Sequence, residues 1–95
     1  WRTIVDDTVS RFGKLTHLFN VAGISEPGSI EDVAIESWER TLAVNLNGTF
    51  HGCHAALPAM VRSGEDGAIV NTGSMLALRP GAMFAAYCAS KAAVT

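Results

Sequence analysis

Apolar residues along the chain recur with two different periods. Trp1, Ile4, Val5, Thr8 and Val9 share one stripe of a helix that runs from Trp1 to Phe12 and ends at Gly13. Leu15 to Val21 is a short apolar run, interrupted by Thr16 and His17 near its start. It reads as a strand, closed by Asn20-Val21-Ala22-Gly23. Glu26-Pro27-Gly28 marks a turn-rich loop, and Ser29 to Ile35 holds a short helical turn. A long helix follows from about Trp38 to Arg62. Ser37 is its predicted N-cap, and Glu39 in the first turn complements the helix dipole. Leu42, Leu46, Phe50, Cys53, Leu57 and Met60 form its predicted buried stripe. Gly48 and Gly52 allow a close backbone approach on another side. Ser63-Gly64 stops the helix, and Ala68-Ile69-Val70-Asn71-Thr72 is the second strand. A loop from Gly73 to Gly81 leads to a last helix from about Ala82.

The order helix, strand, helix, strand, helix predicts an α/β fold. Both strands are apolar throughout, as suits parallel strands covered on two faces. Parallel strands end at one common edge, and open α/β sheets bind ligands there. Asn20, Gly23, Ser74, Tyr87 and Lys91 are thereby gathered into one region by sequence order.

Composition narrows the function class. The 95 residues are 48% hydrophobic and 17% charged, with a net charge of −2. No basic cluster marks a nucleic-acid surface. The longest apolar stretch, around Ala82 to Ala89, is far short of the roughly 20 residues that span a membrane. Cys53 and Cys88 have no metal-type spacing and read as reduced, partly buried thiols of a reducing, cytoplasmic compartment. His51 and His54, three apart, lack a third ligand, so no metal is predicted and an exposed or subunit-contact face is the reading. Helical patterns are already under way at Trp1 and still running at Thr95, without an initiating Met or a final cap. We read the chain as an internal piece of a longer one, unable to fold stably alone because sheet edges and apolar faces stay uncovered.

The chemistry lies near the C-terminus. Tyr87 and Lys91 are one helical turn apart and share a face, with Ser74 upstream on a Gly-bracketed loop. A neighbouring cation favours the ionised form of an acid, which makes the phenol usable as a general acid or base. Met75, Leu76, Leu78, Met83 and Phe84 flank Ser74, either as core or as an apolar wall for substrate.

Asn20-Val21-Ala22-Gly23, Asn45-Leu46-Asn47-Gly48, Ser74 and Tyr87-x-x-x-Lys91, in this order, resemble the classical short-chain dehydrogenase/reductase pattern along the whole chain. Val21 and Gly73 depart from its commonest form, which has Asn and Ser there. The resemblance implies that residues 1–95 are the central fragment of a single NAD(P)-binding, Rossmann-type domain, with two central strands of a doubly wound parallel sheet and flanking helices. It implies an oxidoreductase that interconverts a secondary alcohol and a ketone, with NAD or NADP as cofactor. Tyr87 would exchange the proton, Ser74 would orient the carbonyl oxygen, and Lys91 would bind the nicotinamide ribose. Asn45 would sit at an irregularity in the long helix and hold a relay water. Asn20, Ala22 and Gly23 would line the adenosine side, and Tyr87 and Lys91 would also touch the cofactor. Dimers or homotetramers would form through the two long helices. No Gly-x-Gly-x-x-Gly turn occurs in the chain. The alternative is a non-catalytic dinucleotide-binding module that senses redox state or holds a partner.

Overall fold

The computed structural model describes residues 1–95. Helix α1 spans Arg2–Phe12 and ends at Gly13, whose φ of 81° suits a residue without a Cβ. Strand β1 spans His17–Asn20, a shorter run than Leu15 to Val21. The Ser29–Asp32 turn follows, closed by backbone bonds from Asp32 and Val33 N–H to the Ser29 carbonyl. A helical rod then runs in three parts: α2 (Ile35–Leu42), a π-turn (Ala43–Asn47) and α3 (Gly48–Ser63). Strand β2 is Ala68–Asn71, a 3₁₀ turn covers Met75–Ala77 inside the Gly73 to Gly81 segment, and α4 is Ala85–Val94.

Strands β1 and β2 pair in parallel, with His17 opposite Ala68 and Asn20 opposite Asn71. The Thr72 N–H continues the ladder to the Asn20 carbonyl at 3.1 Å. Both strands therefore end at the same edge, as their apolar sequences predict. Val5, Leu18, Ala56, Ala59 and Met60 form the core, where α1 and α3 meet β1.

Two expectations are corrected at the rod. Ser37 is not the N-cap: the helix begins two residues earlier, after extended Ala34. The Ser37 hydroxyl donates instead to the Glu26 carboxylate, so the acid of the preceding loop takes the group that would have capped the helix. The buried stripe also differs. Met60 of the predicted stripe is buried, but Phe50 and Leu57 are 59% and 51% exposed, and Thr41, Asn45, Gly52, Ala56 and Ala59 are buried instead. The rod lies so close to β1 that small side chains form most of the contact. A Cβ on Gly52 would overlap Asn20 Oδ1 and stand 2.9 Å from Trp1 Cζ2. Large apolar residues are displaced to the neighbouring face. There Phe50 stacks on His54, with ring centres 5.5 Å apart. The last helix is shorter than predicted. Ala82 and Met83 form a turn closed by Phe84 N–H on the Gly81 carbonyl at 3.1 Å, and Phe84 bridges to Gly28 before the helix begins.

The C-terminal strand edge is well built, but the sheet is bare on its other sides. The radius of gyration is 15.7 Å, against roughly 12 Å for a compact chain of this length. Only 14 of the 95 residues are buried, too few for an independent core. Residues 1–95 expressed alone should therefore give no cooperative thermal transition by circular dichroism; a sharp two-state melt would contradict this.

Candidate active site

The site is built at the strand ends. Asn20 closes β1 with its side chain turned inward, donating to Asn71 Oδ1 at 2.9 Å and meeting Cys53 Sγ at 3.4 Å. It fastens the two strand ends to α3. Beyond it, Val21 and Ala22 line a cavity of about 280 Å³ together with Val44 and Thr49. Gly23 then passes close to the π-turn and to α4. A Cβ there would lie 3.3 Å from Asn45 Oδ1, a tight approach, and 3.6 Å from Lys91 Nζ, an ordinary contact, so a side chain would crowd Asn45.

Asn45 stands in the π-turn and is 1% exposed. In this turn Gly48 N–H reaches back five residues to the Ala43 carbonyl. The Asn45 side chain accepts from Ile24 N–H at 2.8 Å and donates to the Ile24 carbonyl at 2.9 Å. Its second amide proton goes to Ser90 Oγ at 3.0 Å. Both side-chain donors are thereby used. The main-chain carbonyl of Asn45 accepts from the Thr49 hydroxyl at 2.8 Å.

Helix α4 is held at several points along its length. Gly28 N–H bonds the Met83 carbonyl at 2.7 Å, and Ala85 N–H bonds the Gly28 carbonyl at 3.2 Å. Ser90, fully buried, donates to the Tyr87 carbonyl at 2.8 Å while accepting from Asn45. Lys91 donates to the Thr72 carbonyl at 2.8 Å, which ties the helix to the end of β2. Lys91 is 4% exposed, and neither ion pair of the chain includes it. An unpaired buried charge is costly, so the surroundings must supply compensation. The Thr72 carbonyl supplies part of it. The Tyr87 ring supplies more, its centre lying 5.7 Å from Lys91 Nζ.

Ser74 begins the 3₁₀ turn with an extended backbone, and its Oγ accepts from Leu76 N–H at 3.1 Å. That bond uses a lone pair and leaves the O–H to donate outward. The turn packs against α4, which carries Tyr87. Met75 and Leu78 are 82% and 81% exposed. They line the surface around Ser74 rather than the core.

The structure thus brings Asn45, Gly23 and Lys91 into direct proximity and packs the Ser74 turn on the Tyr87 helix. Asn20 serves the strand ends from within the fold. Sequence reasoning missed Ser90 and Glu26. Ser90 had a signal: it is a polar residue in the Ala-rich run from Ala85 to Ala93. Glu26 had none, because its partners Ser37 and Arg40 lie beyond local reach. Arg40 grips the Glu26 carboxylate with Nε and Nη2, each at 2.7 Å.

A family model described as short chain dehydrogenase matches residues 1–95. The chain belongs to the short-chain dehydrogenase family. It is 45% identical over 94 residues to 2,5-dichloro-2,5-cyclohexadiene-1,4-diol dehydrogenase LinX of Sphingobium indicum, covering 99% of this chain and 37% of that protein. It is 48% identical over 82 residues to inactive 2-(S)-hydroxypropyl-CoM dehydrogenase 2 of Xanthobacter autotrophicus, covering 86% of this chain and 35% of that one. The crystal structure of NAD⁺-bound xylitol dehydrogenase superposes with a TM-score of 0.90 at 35% identity, over 97% of this chain and 35% of the other. The fold is α/β, part of the Rossmann-type doubly wound sheet of this family. The chain spans little more than a third of the length of these relatives. No helix is long and apolar enough to cross a membrane.

The Glu26 latch fixes the segment that carries Gly23 and Ile24. The Ser37 hydroxyl, and then Arg40, hold the Glu26 carboxyl below its ordinary value of 4.5. A carboxyl lowered by folding stabilises the protein above its unfolded value and loses that contribution as pH falls through the folded one. Glu26→Gln in the full-length protein should therefore lower the melting temperature at pH 7. The difference from wild type should close as pH drops below about 4.5. A difference independent of pH would contradict this account.

Proposed function

We propose that the protein interconverts a secondary alcohol and a ketone with NAD or NADP, Tyr87 acting as the general acid and base. The observation that carries this reading is the buried Lys91 ammonium beside the Tyr87 ring, on a helix packed against the Ser74 turn. The residues present fit the nicotinamide-ribose end of such a cofactor. An ammonium has three donors, and Thr72 takes one, so two remain for a vicinal diol. On the adenosine side, Asn20 and Ala22 line the cavity at the strand edge, and Gly23 continues that edge close to Lys91.

When bound, the cofactor supplies or accepts the hydride. The protein then places the substrate oxygen and handles one proton. In reduction the Tyr87 hydroxyl protonates the carbonyl oxygen; in oxidation it takes the alcohol proton. The free O–H of Ser74 donates a second hydrogen bond to the same oxygen and stabilises its developing charge. The charge of Lys91 offsets negative charge at the phenol oxygen during transfer. A water in the proton path would meet an acceptor at Asn45, because both side-chain donors are used. Exposed Met75, Leu78 and Met83 suit an apolar part of the substrate. Two of the relatives bear names of a ring diol and of an open-chain polyol. The feature shared by these names is a carbinol carbon.

The 95 residues serve in this reading as the central part of one domain of a cytoplasmic enzyme, with Cys53 and Cys88 as free thiols. Exposed Phe50, Leu57 and Val61 on α3 supply an apolar face for a dimer or tetramer. A second reading, nucleotide binding without turnover, draws support from the relative named as inactive.

Tyr87→Phe in the full-length protein decides between them. Turnover should fall by about 10²- to 10⁴-fold, while coenzyme binding, followed by fluorescence titration, survives. Wild-type turnover in this variant would remove Tyr87 from the chemistry. A wild-type protein that binds coenzyme but consumes none across a broad carbonyl and alcohol panel would favour the binding module.

A further inference from the structure

We infer that Ser90 is a positioning residue for the reaction, coupling the π-turn to the main chain of Tyr87. The inference rests on the reading of Tyr87 as general acid and base. Ser90 is fully buried and reaches no surface or cavity, so its hydroxyl acts only on what it touches. It touches two groups. It donates to the Tyr87 carbonyl at 2.8 Å, three residues back on α4, and accepts from Asn45 Nδ2 at 3.0 Å.

A serine that bonds only its own helix would be a local feature. The second bond changes its meaning. Asn45 is held to both backbone groups of Ile24, so its amide has one orientation and a single donor left over. That donor can be satisfied only by Ser90 Oγ. The hydroxyl in turn must point its proton at Tyr87 O, because its lone pair is facing Asn45. The chain Ile24–Asn45–Ser90–Tyr87 is thus directional, with each proton assigned by the one before it. It sets how far α4 slides and turns against the π-turn, and with that where the Tyr87 ring stands relative to Ser74. Lys91, the next residue, anchors the same helix to Thr72 but acts on side-chain charge rather than on the Tyr87 backbone.

Positioning has a steep effect on proton transfer, since small displacements of a reacting group cost large factors in rate. Loss of the hydroxyl leaves Asn45 with an unsatisfied buried donor and frees α4 to shift.

The test compares Ser90→Ala, Ser90→Cys and Ser90→Thr with Tyr87→Phe in the full-length enzyme, by kcat, coenzyme affinity and the solvent deuterium isotope effect on kcat. Ser90→Ala should lower kcat roughly tenfold with coenzyme affinity retained. The isotope effect should rise above that of wild type, as proton transfer through a displaced phenol becomes slower. Ser90→Cys keeps the shape with a weaker acceptor and should change in the same direction, which keeps the test open if Ser90→Ala fails to fold. Ser90→Thr keeps the hydroxyl and should restore both readouts. A fall in kcat with an unchanged isotope effect would mean a smaller folded fraction and would overturn the inference. So would wild-type kcat in Ser90→Cys or in a folded Ser90→Ala. If Tyr87→Phe is inactive while the Ser90 variants match wild type, the Ser90 inference falls and the assignment of Tyr87 stands. If Tyr87→Phe is active, the assignment itself falls.

Discussion

One carboxamide organises the site. The Asn45 side chain can accept at its oxygen and donate twice at its nitrogen, and it spends both donors inside the fold. It joins the segment after β1, the π-turn and α4, which lie far apart in sequence. Each bond adds only about 0.5–1.5 kcal/mol net, whereas an unsatisfied buried partner costs about 1–3 kcal/mol. The asymmetry makes the arrangement specific. Any other placement of Ile24 or Ser90 would strand a buried amide group, so the fold is held to one geometry more by the cost of errors than by the strength of contacts.

The π-turn is what lets one residue reach both neighbours. A π-turn locally widens the helix and is often found at functional sites. Here it lies where the rod passes from α2, which packs on α4, to α3, which packs on β1. Close packing of α3 on β1 requires small residues, and Gly52 and Ala56 meet that need. Lys91 then completes the frame from the other side. Its ammonium is buried without a carboxylate partner, a costly state that a purely structural position does not require. Buried polar groups joined to one another across α4, the π-turn and the strand ends are what mark this edge of the sheet.

Much of this was legible in the sequence. Two apolar strands separated by a long helical pattern were enough for a parallel pair, and the parallel pair was enough to place Asn20, Gly23 and Ser74 at one edge. The one-turn spacing of Tyr87 and Lys91 put both on one face of α4. Periodicity failed where size and burial part company. Phe50 and Leu57 are large and apolar yet exposed, while Gly52 and Ala56 carry the contact with the sheet. Local capping rules failed at Ser37, because Glu26, eleven residues upstream, competes for its hydroxyl. Ser90 stood out in the sequence only as a polar residue in an Ala-rich run, and its partner Asn45, forty-five residues away, could not be read from it. Long-range hydrogen bonds leave no periodic trace.

The most direct measurement of the Asn45 frame is native-state amide exchange at Ile24 in the full-length protein. Ile24 lies outside any helix or strand, and its N–H has the Asn45 side chain as acceptor at 2.8 Å. The frame predicts that this amide exchanges as slowly as those of β1. It also predicts that Asn45→Ala speeds exchange at Ile24 far more than at Leu18 or Phe19. Exchange at Ile24 in the wild type as fast as in an open loop would contradict the account, because the segment that carries Gly23 would then be free of the π-turn.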